Sequence, residues 1–174
     1  MSYQHIRRQA EELVEAAAIK KPPVDVERVA KHLGLNVVHA ELGKDTSGLL
    51  VVQGPEDVRI CINKEDPPTR RRFSTAHEIG HWVLKHHTKP GVHVDRGHVV
   101  LARDQRSSQG VDKTEVEANQ FASALLMPER MLKEAVATSA NPLRDVDITD
   151  LAKVFQVSEQ AMTIRLTRLG LLEV

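Results

Sequence analysis

Residues 71–87, RRFSTAHEIGHWVLKHH, contain four of the nine histidines and the single tryptophan of the chain. Within this stretch His77 and His81 are four residues apart, and Glu78 directly follows the first of them. On a helix this spacing places two imidazoles on one face, with their Cβ atoms about 5–6 Å apart. Two imidazoles in that arrangement can bind one metal ion. The HExxH spacing therefore predicts a metal-binding helix.

The residue between the two ligands indicates what the metal would do. The carboxylate of Glu78 can reach an activated water rather than the metal itself, and a bound Zn²⁺ lowers the pKa of water to about 7. We therefore predict Zn²⁺ as the cofactor and Glu78 as the catalytic general base. The alternative is a chance pattern on a helix that merely packs. The apolar residues that could seat this helix in a core favour the metal site: Ile79, Trp82, Val83 and Leu84.

A catalytic zinc site needs a third protein ligand, and His87 is the nearest candidate. HEIGHWVLKHH matches the longer metzincin pattern HExxHxxGxxH except at Leu84, which stands where that pattern has glycine. Glycine lets the chain leave the helix and return its third histidine to the metal. With leucine the helix can continue, which would carry His87 about 9 Å along the axis from His81. His86 and His87 are therefore interpreted as having no role at the metal.

A carboxylate on a second helix is the better candidate for the third ligand. The stretch TEVEANQFASALLMP, residues 114–128, offers Glu115 and Glu117. A helical wheel favours Glu115 slightly, because it shares a side with Asn119 and Ala122. A glutamate near a helix N-terminus is also common without any metal. The residues alone leave both glutamates open.

The composition is that of a soluble globular protein. The chain has 174 residues, of which 41% are hydrophobic, and its 24 basic and 24 acidic residues balance to zero net charge. It therefore has no general attraction to nucleic acid or to anionic membranes. Cys61 is the only cysteine, and the charged N-terminal residues do not resemble a secretory signal. We expect a cytoplasmic protein without a membrane span.

Helical and extended patterns alternate along the first half of the chain. Residues 2–19 have the apolar spacing of an amphipathic helix, and VDVERVAKHLG predicts a second helix that is capped by an aspartate and ended by Gly34. TSGLLVVQGPEDVRICIN, residues 46–63, predicts a β-hairpin. In its second strand Val58, Ile60 and Ile62 should share one face. Thr69 is a plausible N-cap for the HExxH helix.

The second half of the chain contains more helical patterns. Residues 88–113 are interpreted as a loop that includes a short strand in HVVLA, and residues 114–128 as a helix that Pro128 stops. Two short helical patterns end the chain, which could form a DNA-reading pair or pack on the rest of the protein. Packing is favoured, because the polar positions provide only a weak basic face: Gln160, Thr163, Arg165, Thr167 and Arg168. The run of arginines at 70–72 is interpreted as a solvated surface.

Taken together, these motifs resemble the ImmA/IrrE family of zinc-dependent metallopeptidases. The resemblance rests on RRFSTAHEIGHWVLKH, on EVEANQFASALLMP and on LAKVFQVSEQAMTIRLTRLGLL, and with VDVERVAKHLGLNVV it spans most of the chain. It implies that zinc binds His77, His81 and Glu115, and that Glu78 is catalytic. It also implies a role in cleaving, or relieving repression by, helix-turn-helix repressors of mobile elements, phages, toxin–antitoxin systems or stress operons.

We therefore expect an α+β, zincin-like fold with a small mixed sheet packed on the HExxH helix. A metallopeptidase domain at residues 1–140 would precede a helix-turn-helix-like pair at residues 141–174. The strand VRICIN would line the cleft and pair with an extended substrate, which makes Arg59, Cys61 and Asn63 candidate substrate-binding residues. The oxyanion-stabilising group is left open among His93, His98 and an arginine. The rival hypothesis is a regulatory module that binds a repressor or DNA without turnover.

Overall fold

The computed structural model describes residues 1–54, 57–86, 91–95, 110–137 and 145–172. Within these residues the chain forms four strands, namely β1 (Asn36–Ala40), β2 (Gly48–Val52), β3 (Val58–Asn63) and β4 (Gly91–Asp95). It also forms seven helices, namely α1 (Tyr3–Ala16), α2 (Val26–His32), α3 (Pro68–Val83), α4 (Gly110–Leu126), α5 (Glu129–Val136), α6 (Asp145–Phe155) and α7 (Glu159–Arg168). No helix of the described ranges has both the length and the apolarity that a bilayer crossing requires.

The strands form one mixed sheet in the order β1-β3-β2-β4. The hairpin prediction is confirmed, because β2 and β3 are antiparallel with Val52 opposite Val58. β1 runs parallel to β3 on its other side, and β4 runs antiparallel to β2. β3 is therefore a central strand. The expectation that an extended substrate pairs with β3 is wrong, because both of its backbone edges already bond to neighbouring strands.

One face of the sheet packs on α3. Val58, Ile60 and Ile62 are buried as the alternation predicted, whereas Arg59 between them is exposed. α3 contacts both β2 and β3. The predicted α+β architecture, with a small mixed sheet packed on the HExxH helix, is confirmed.

α3 and α4 approach each other closely at Gly80. A Cβ atom added there would lie 3.1 Å from Cδ1 of Phe121 and 3.2 Å from the carbonyl oxygen of Ala118. Glycine inside a helix costs about 1 kcal/mol relative to alanine, so its presence here reflects that approach. The backbone of α3 at Gly80 thus lies directly against α4, and these two helices carry the predicted metal ligands.

Local signals set most of the element ends. Asp25 caps α2 by accepting a hydrogen bond of 3.0 Å from the backbone N–H of Arg28, and Gly34 ends that helix at φ +73°. α3 begins at Pro68 after Pro67, so the N-cap expected at Thr69 is wrong. Proline suits the first helical position because its missing N–H would have no helical partner there.

The region between α3 and α4 contains a strand, and the strand expected in HVVLA stays a prediction. β4 occupies Gly91–Asp95, whereas the HVVLA segment at residues 98–102 lies outside the described residues. β4 pairs with β2 and adds a fourth strand to the sheet.

The two C-terminal helices pack on the rest of the chain. α6 and α7 are joined by three residues, and their apolar side chains belong to the same hydrophobic core as those of α1 and α4. The buried apolar residues of the described part of this pair and of the turn between its helices are Ile148, Leu151, Ala152, Phe155, Val157, Ala161, Met162 and Leu166. The interpretation that these positions pack on the core is confirmed. A separate subdomain from residue 141 stays a prediction.

Arg165 does not face solvent, contrary to its assignment as an available polar position. Its side chain is fully buried, with Nε donating to the carbonyl oxygen of Met127 at 3.1 Å and Nη1 donating to the hydroxyl of Tyr3 at 2.5 Å. Burial lowers the pKa of Arg165. Because this arginine joins α7 to α1 and to the end of α4, it cannot also read DNA.

Arg72 has a similar role on α3 and is not the solvated residue expected from the arginine run. Its Nη2 donates to the carbonyl oxygen of Val24 at 3.0 Å, and its Nε to that of Gln156 at 3.3 Å. These bonds tie α3 to the segment before α2 and to the turn after α6.

Candidate metal centre

α3 carries the HExxH residues into the interior of the molecule. His77, Glu78 and His81 are all buried, together with Ile79, which is fully enclosed. Two successive turns of the helix thus present their polar side chains toward protein rather than solvent. Burying ionisable groups in this way costs free energy unless they are paired or bind a metal.

α4 supplies the groups that face them. Glu115 and Asn119 are four residues apart and therefore lie on one side of α4. The Gly80 contact brings that side against α3. Asn119 is buried, and Glu115 is partly exposed.

The ligand atoms of three residues converge at this contact. Nε2 of His77 lies 3.2 Å from Oε2 of Glu115, and Nε2 of His81 lies 3.3 Å from Oε1 of the same carboxylate. The two Nε2 atoms are 2.9 Å apart. His77, His81 and Glu115 form the one cluster of three or more such residues, within the part of the chain described, whose ligand atoms lie close enough to share an ion.

The donor set fits zinc. A tetrahedral zinc with ligand bonds of about 2.0–2.2 Å separates its ligand atoms by about 3.3 Å. The two histidine–glutamate distances have that value, and the distance between the histidines is slightly shorter. Two imidazoles and one carboxylate are also the protein ligands of several catalytic zinc sites.

Asn119 orients the first histidine. Oδ1 of Asn119 lies 2.9 Å from Nδ1 of His77. Because an amide oxygen only accepts hydrogen bonds, Nδ1 carries the proton and donates it to Asn119. The lone pair of a neutral His77 is then on Nε2, the atom that faces Glu115 and His81. Metal-binding histidines are commonly held by such a partner on the second ring nitrogen.

Glu115 is held in its ionised form. Burial raises the pKa of Glu115, but the close contacts with the His77 and His81 rings outweigh that effect, and the net pKa lies well below the usual range. A carboxylate is the form that binds a metal, so this glutamate needs no deprotonation at neutral pH.

Glu78 occupies a narrow space between α3 and β2. A Cβ atom at Gly48 would lie 3.0 Å from Oε1 of Glu78 and 3.3 Å from its Cγ. Such approaches are tighter than nearly all real Cβ contacts. A side chain at this position would therefore require the buried carboxylate to shift by a few tenths of an ångström.

The end of α3 differs from the expectation, and it brings a further histidine to the site. The helix stops at Val83, and Lys85 adopts φ +57°, so the chain turns back instead of continuing toward His87. Nδ1 of His86 consequently lies 3.1 Å from Nδ1 of His81. His86 therefore contacts a candidate ligand, although its own nitrogens are not among the ligand atoms that converge. His87 lies outside the described residues.

Glu117, the alternative third ligand, faces His86 rather than the His77–His81 pair. Its Oε2 lies 3.1 Å from Nε2 of His86, and its Oε1 contacts the N-terminal amine of Met1. Burial lowers the pKa of His86, against the opposing effect of the hydrogen bond with Glu117. The structure therefore brings Glu115, and not Glu117, to the two histidines.

The candidate substrate-binding residues are not brought to this cluster. Arg59 and Cys61 alternate with the buried Ile60 and Ile62 and so lie on the face of the sheet that is opposite α3. Arg59 forms an exposed ion pair with Asp57. Asn63 is buried, and its amide nitrogen donates to the carbonyl oxygens of residues 43 and 46 in the preceding loop.

Three residues that contact this site were not predicted from the sequence, namely Gly48, Asn119 and His86. The spacing of Asn119 from Glu115 could have revealed the asparagine, because a residue four positions after a ligand shares its helix face. Gly48 and His86 had no comparable signal. Of the groups considered for the oxyanion, His98 and the side chain of His93 lie outside the described residues.

Comparisons with known proteins agree with the fold and the site. Residues 30–167 match the M78 peptidase family, described as an IrrE N-terminal-like domain. No match to a curated protein was found. Among solved structures the chain is similar to a Mycobacterium tuberculosis transcriptional regulator, with a TM-score of 0.62 and 21% identity. That match covers 94% of this chain and 46% of the other, so the chain spans about half the length of that protein, and the likeness shows a shared fold.

The family match extends over most of the chain and includes all of the residues that converge between α3 and α4. It also agrees with the resemblance that the HExxH and E-x-x-A-N motifs indicated. The chain belongs to the M78 peptidase family, with an IrrE N-terminal-like domain.

Proposed function

We propose that this chain is a zinc-dependent endopeptidase that cleaves a helix-turn-helix transcriptional repressor and thereby relieves repression. The observation that carries the proposal is the convergence of ligand atoms from His77, His81 and Glu115 next to the buried carboxylate of Glu78. A domain that only binds a partner has no need for the glutamate of HExxH.

Each residue has a separate part in this proposal. His77, His81 and Glu115 would hold the zinc ion, which supplies the Lewis acidity that makes water nucleophilic at neutral pH. Glu78 would take a proton from the attacking water and later return it to the leaving amine. Asn119 holds the ring of His77 so that its Nε2 faces the other two ligands.

The substrate class rests on weaker support. The family resemblance points to helix-turn-helix repressors, and the similar M. tuberculosis protein is described as a transcriptional regulator. We therefore propose a repressor encoded beside this chain as the substrate, and the cytoplasm, where repressors act, as the compartment.

The test uses the purified full chain and the purified helix-turn-helix repressor from the neighbouring reading frame. We expect one zinc per chain by elemental analysis and repressor fragments that disappear when a chelator is added. Glu78→Gln should retain zinc but lose cleavage by at least about 100-fold, since general-base catalysis contributes that much or more. Glu15→Gln, at an exposed position of α1, is the matched control and should cleave normally.

Two results would contradict the proposal. Protein that holds no stoichiometric zinc would exclude the metal site. Full repressor cleavage by Glu78→Gln would exclude the assigned base. If Glu78→Gln instead relieved repression as well as the unmodified chain, the rival function of binding without turnover would replace this one.

A further inference from the structure

The second ring nitrogen of His81 has its own partner, which comes from the residues just beyond the helix. Nδ1 of His81 lies 3.1 Å from Nδ1 of His86, and Nε2 of His86 lies 3.1 Å from Oε2 of Glu117. The side chains of His86 and Glu117 are only 7% and 10% exposed, so these contacts are shielded from water. Glu117, His86 and His81 thus form a buried chain that ends at the candidate metal ligands.

The backbone fixes His86 in this place. The N–H of His86 donates to the carbonyl oxygen of His81 at 3.0 Å, and the N–H of Lys85 donates to that of Trp82 at 3.1 Å. With Lys85 at φ +57°, these two bonds make a Schellman motif, in which the last residue of the turn packs on the residue five positions earlier. Here those two residues are His86 and His81, so a histidine pair replaces the usual apolar contact.

The proton positions in this series of side chains follow from Glu117, because its carboxylate can only accept hydrogen bonds. A carboxylate has no proton to give, so Nε2 of a neutral His86 carries one and donates it to Glu117. Nδ1 of His86 is then an acceptor, and Nδ1 of His81 must donate to it. The lone pair of His81 is left on Nε2, the atom that lies 3.3 Å from Glu115.

We infer that His86 and Glu117 are positioning residues, which hold the ring of His81 in the orientation and tautomer that bind the metal. The inference rests on the proposed metal site and extends it. Asn119 does the same for His77 with a single hydrogen bond. His81 lacks such an amide and depends on the two-residue chain instead.

The test measures zinc affinity by competition with a chelating dye, using the full chain and four variants. His86→Phe keeps the ring and removes both nitrogens, and it should weaken zinc binding about 10–100-fold. His86→Gln restores an acceptor and should recover part of that loss. Thermal unfolding of each zinc-free variant tests whether the fold is retained.

A matched control lies at the surface. His39 forms an exposed pair with Glu27, in which Nε2 lies 3.1 Å from Oε1. This equals the distance between Nε2 of His86 and Oε2 of Glu117, but His39 contacts no proposed metal ligand. His39→Phe should leave zinc affinity unchanged. If His86→Phe fails to fold, Glu117→Gln tests the same hydrogen-bonded series from its other end. It should weaken zinc binding by a smaller factor, because an amide oxygen still accepts a hydrogen bond from His86.

The outcomes separate this inference from the proposed function. If the unmodified chain binds zinc and both His86→Phe and Glu117→Gln bind it equally well, the inference is wrong and the metal site stands. If His86→Gln loses as much affinity as His86→Phe, the acceptor role is likewise wrong. If the unmodified chain binds no zinc, the proposed function and this inference fail together.

Discussion

At the scale of single residues, the space available to the Glu78 side chain depends on a glycine of a neighbouring strand. Gly48 of β2 leaves room for the Glu78 carboxylate, which a Cβ atom would approach to 3.0 Å. The proposed general base is therefore held between its own helix and this strand.

Gly48→Ala should separate catalysis from metal binding. The added methyl group should displace the Glu78 carboxylate and lower kcat for repressor cleavage at least tenfold, because small misplacements of reacting groups are costly. Zinc affinity should change little, since no ligand is touched.

Gly54→Ala is the control for this substitution, because a Cβ atom there has no neighbour within 4 Å. Steady-state kinetics and dye competition give the two readouts. Unchanged kcat in Gly48→Ala would show that the contact has no effect on the base.

At the scale of elements, the same residues explain what sequence could and could not predict. The hairpin, the Asp25 cap and the Gly34 stop depend on neighbours in the chain, and all three were predictable. The HExxH pair was predictable for the same reason, since i and i+4 always share a helix face. The return of His86 to the site was not predictable. The turn that brings it back has Lys85 at φ +57°, whereas glycine is the residue that usually marks such a turn in a sequence.

Burial of a side chain by elements that are distant in sequence was the second kind of feature that could not be predicted. A helical wheel shows that Arg165 is a polar residue on α7, but it does not show that Tyr3 and Met127 lie against it. The central position of β3 was equally hidden, because the parallel partner β1 precedes it by a whole hairpin strand. Such features depend on contacts between distant segments.

The junction of α1 and α5 gives a pH-dependent prediction. Hydrogen bonding to Lys133 and the nearby charge of Arg7 lower the pKa of Glu129, although burial opposes them. A lowered folded-state pKa means that Glu129 stabilises the protein above its unfolded pKa of about 4.3 and loses this effect as the pH falls through the folded value.

Glu129→Gln should therefore reduce the free energy of unfolding by about 1 kcal/mol or less at pH 7, as is usual for partly exposed ion pairs. The difference from the unmodified chain should be smaller at pH 3.5 than at pH 7. Urea unfolding at the two pH values measures it. Glu134→Gln, which removes an exposed pair with Arg130 in the same helix, is the control and should have a smaller effect at pH 7. A Glu129→Gln difference that grew on acidification would contradict the prediction.

At the scale of the whole molecule, Arg165 connects the end of the chain to its beginning. It bonds α7 to Tyr3 of α1 and to the carbonyl oxygen at the end of α4. The C-terminal pair is thereby held on the core that carries the candidate metal centre.

Truncation of two arginines of α7 should change stability to very different extents. Arg165→Ala removes a fully buried side chain and two hydrogen bonds, so it should lower the free energy of unfolding by about 3 kcal/mol or more. Arg168→Ala, at an exposed position three residues later, should change it by less than about 0.5 kcal/mol.

Urea unfolding of both variants at pH 7 is the measurement. Equal stabilities would show that Arg165 has no structural role. A stable Arg165→Ala protein that had lost affinity for operator DNA would instead restore the DNA-reading interpretation of this helix.

Because α3 and α4 approach each other closely at Gly80, a metal ion bound between them would also stabilise the fold. Because the three proposed ligands come from α3 and α4, an ion bound to all of them would act as a crosslink between these two helices. Free zinc at about 100 times the dissociation constant would add about 2.7 kcal/mol to the free energy of unfolding. If the proposed function is right, zinc depletion would then lower both the activity of the protein and its resistance to unfolding.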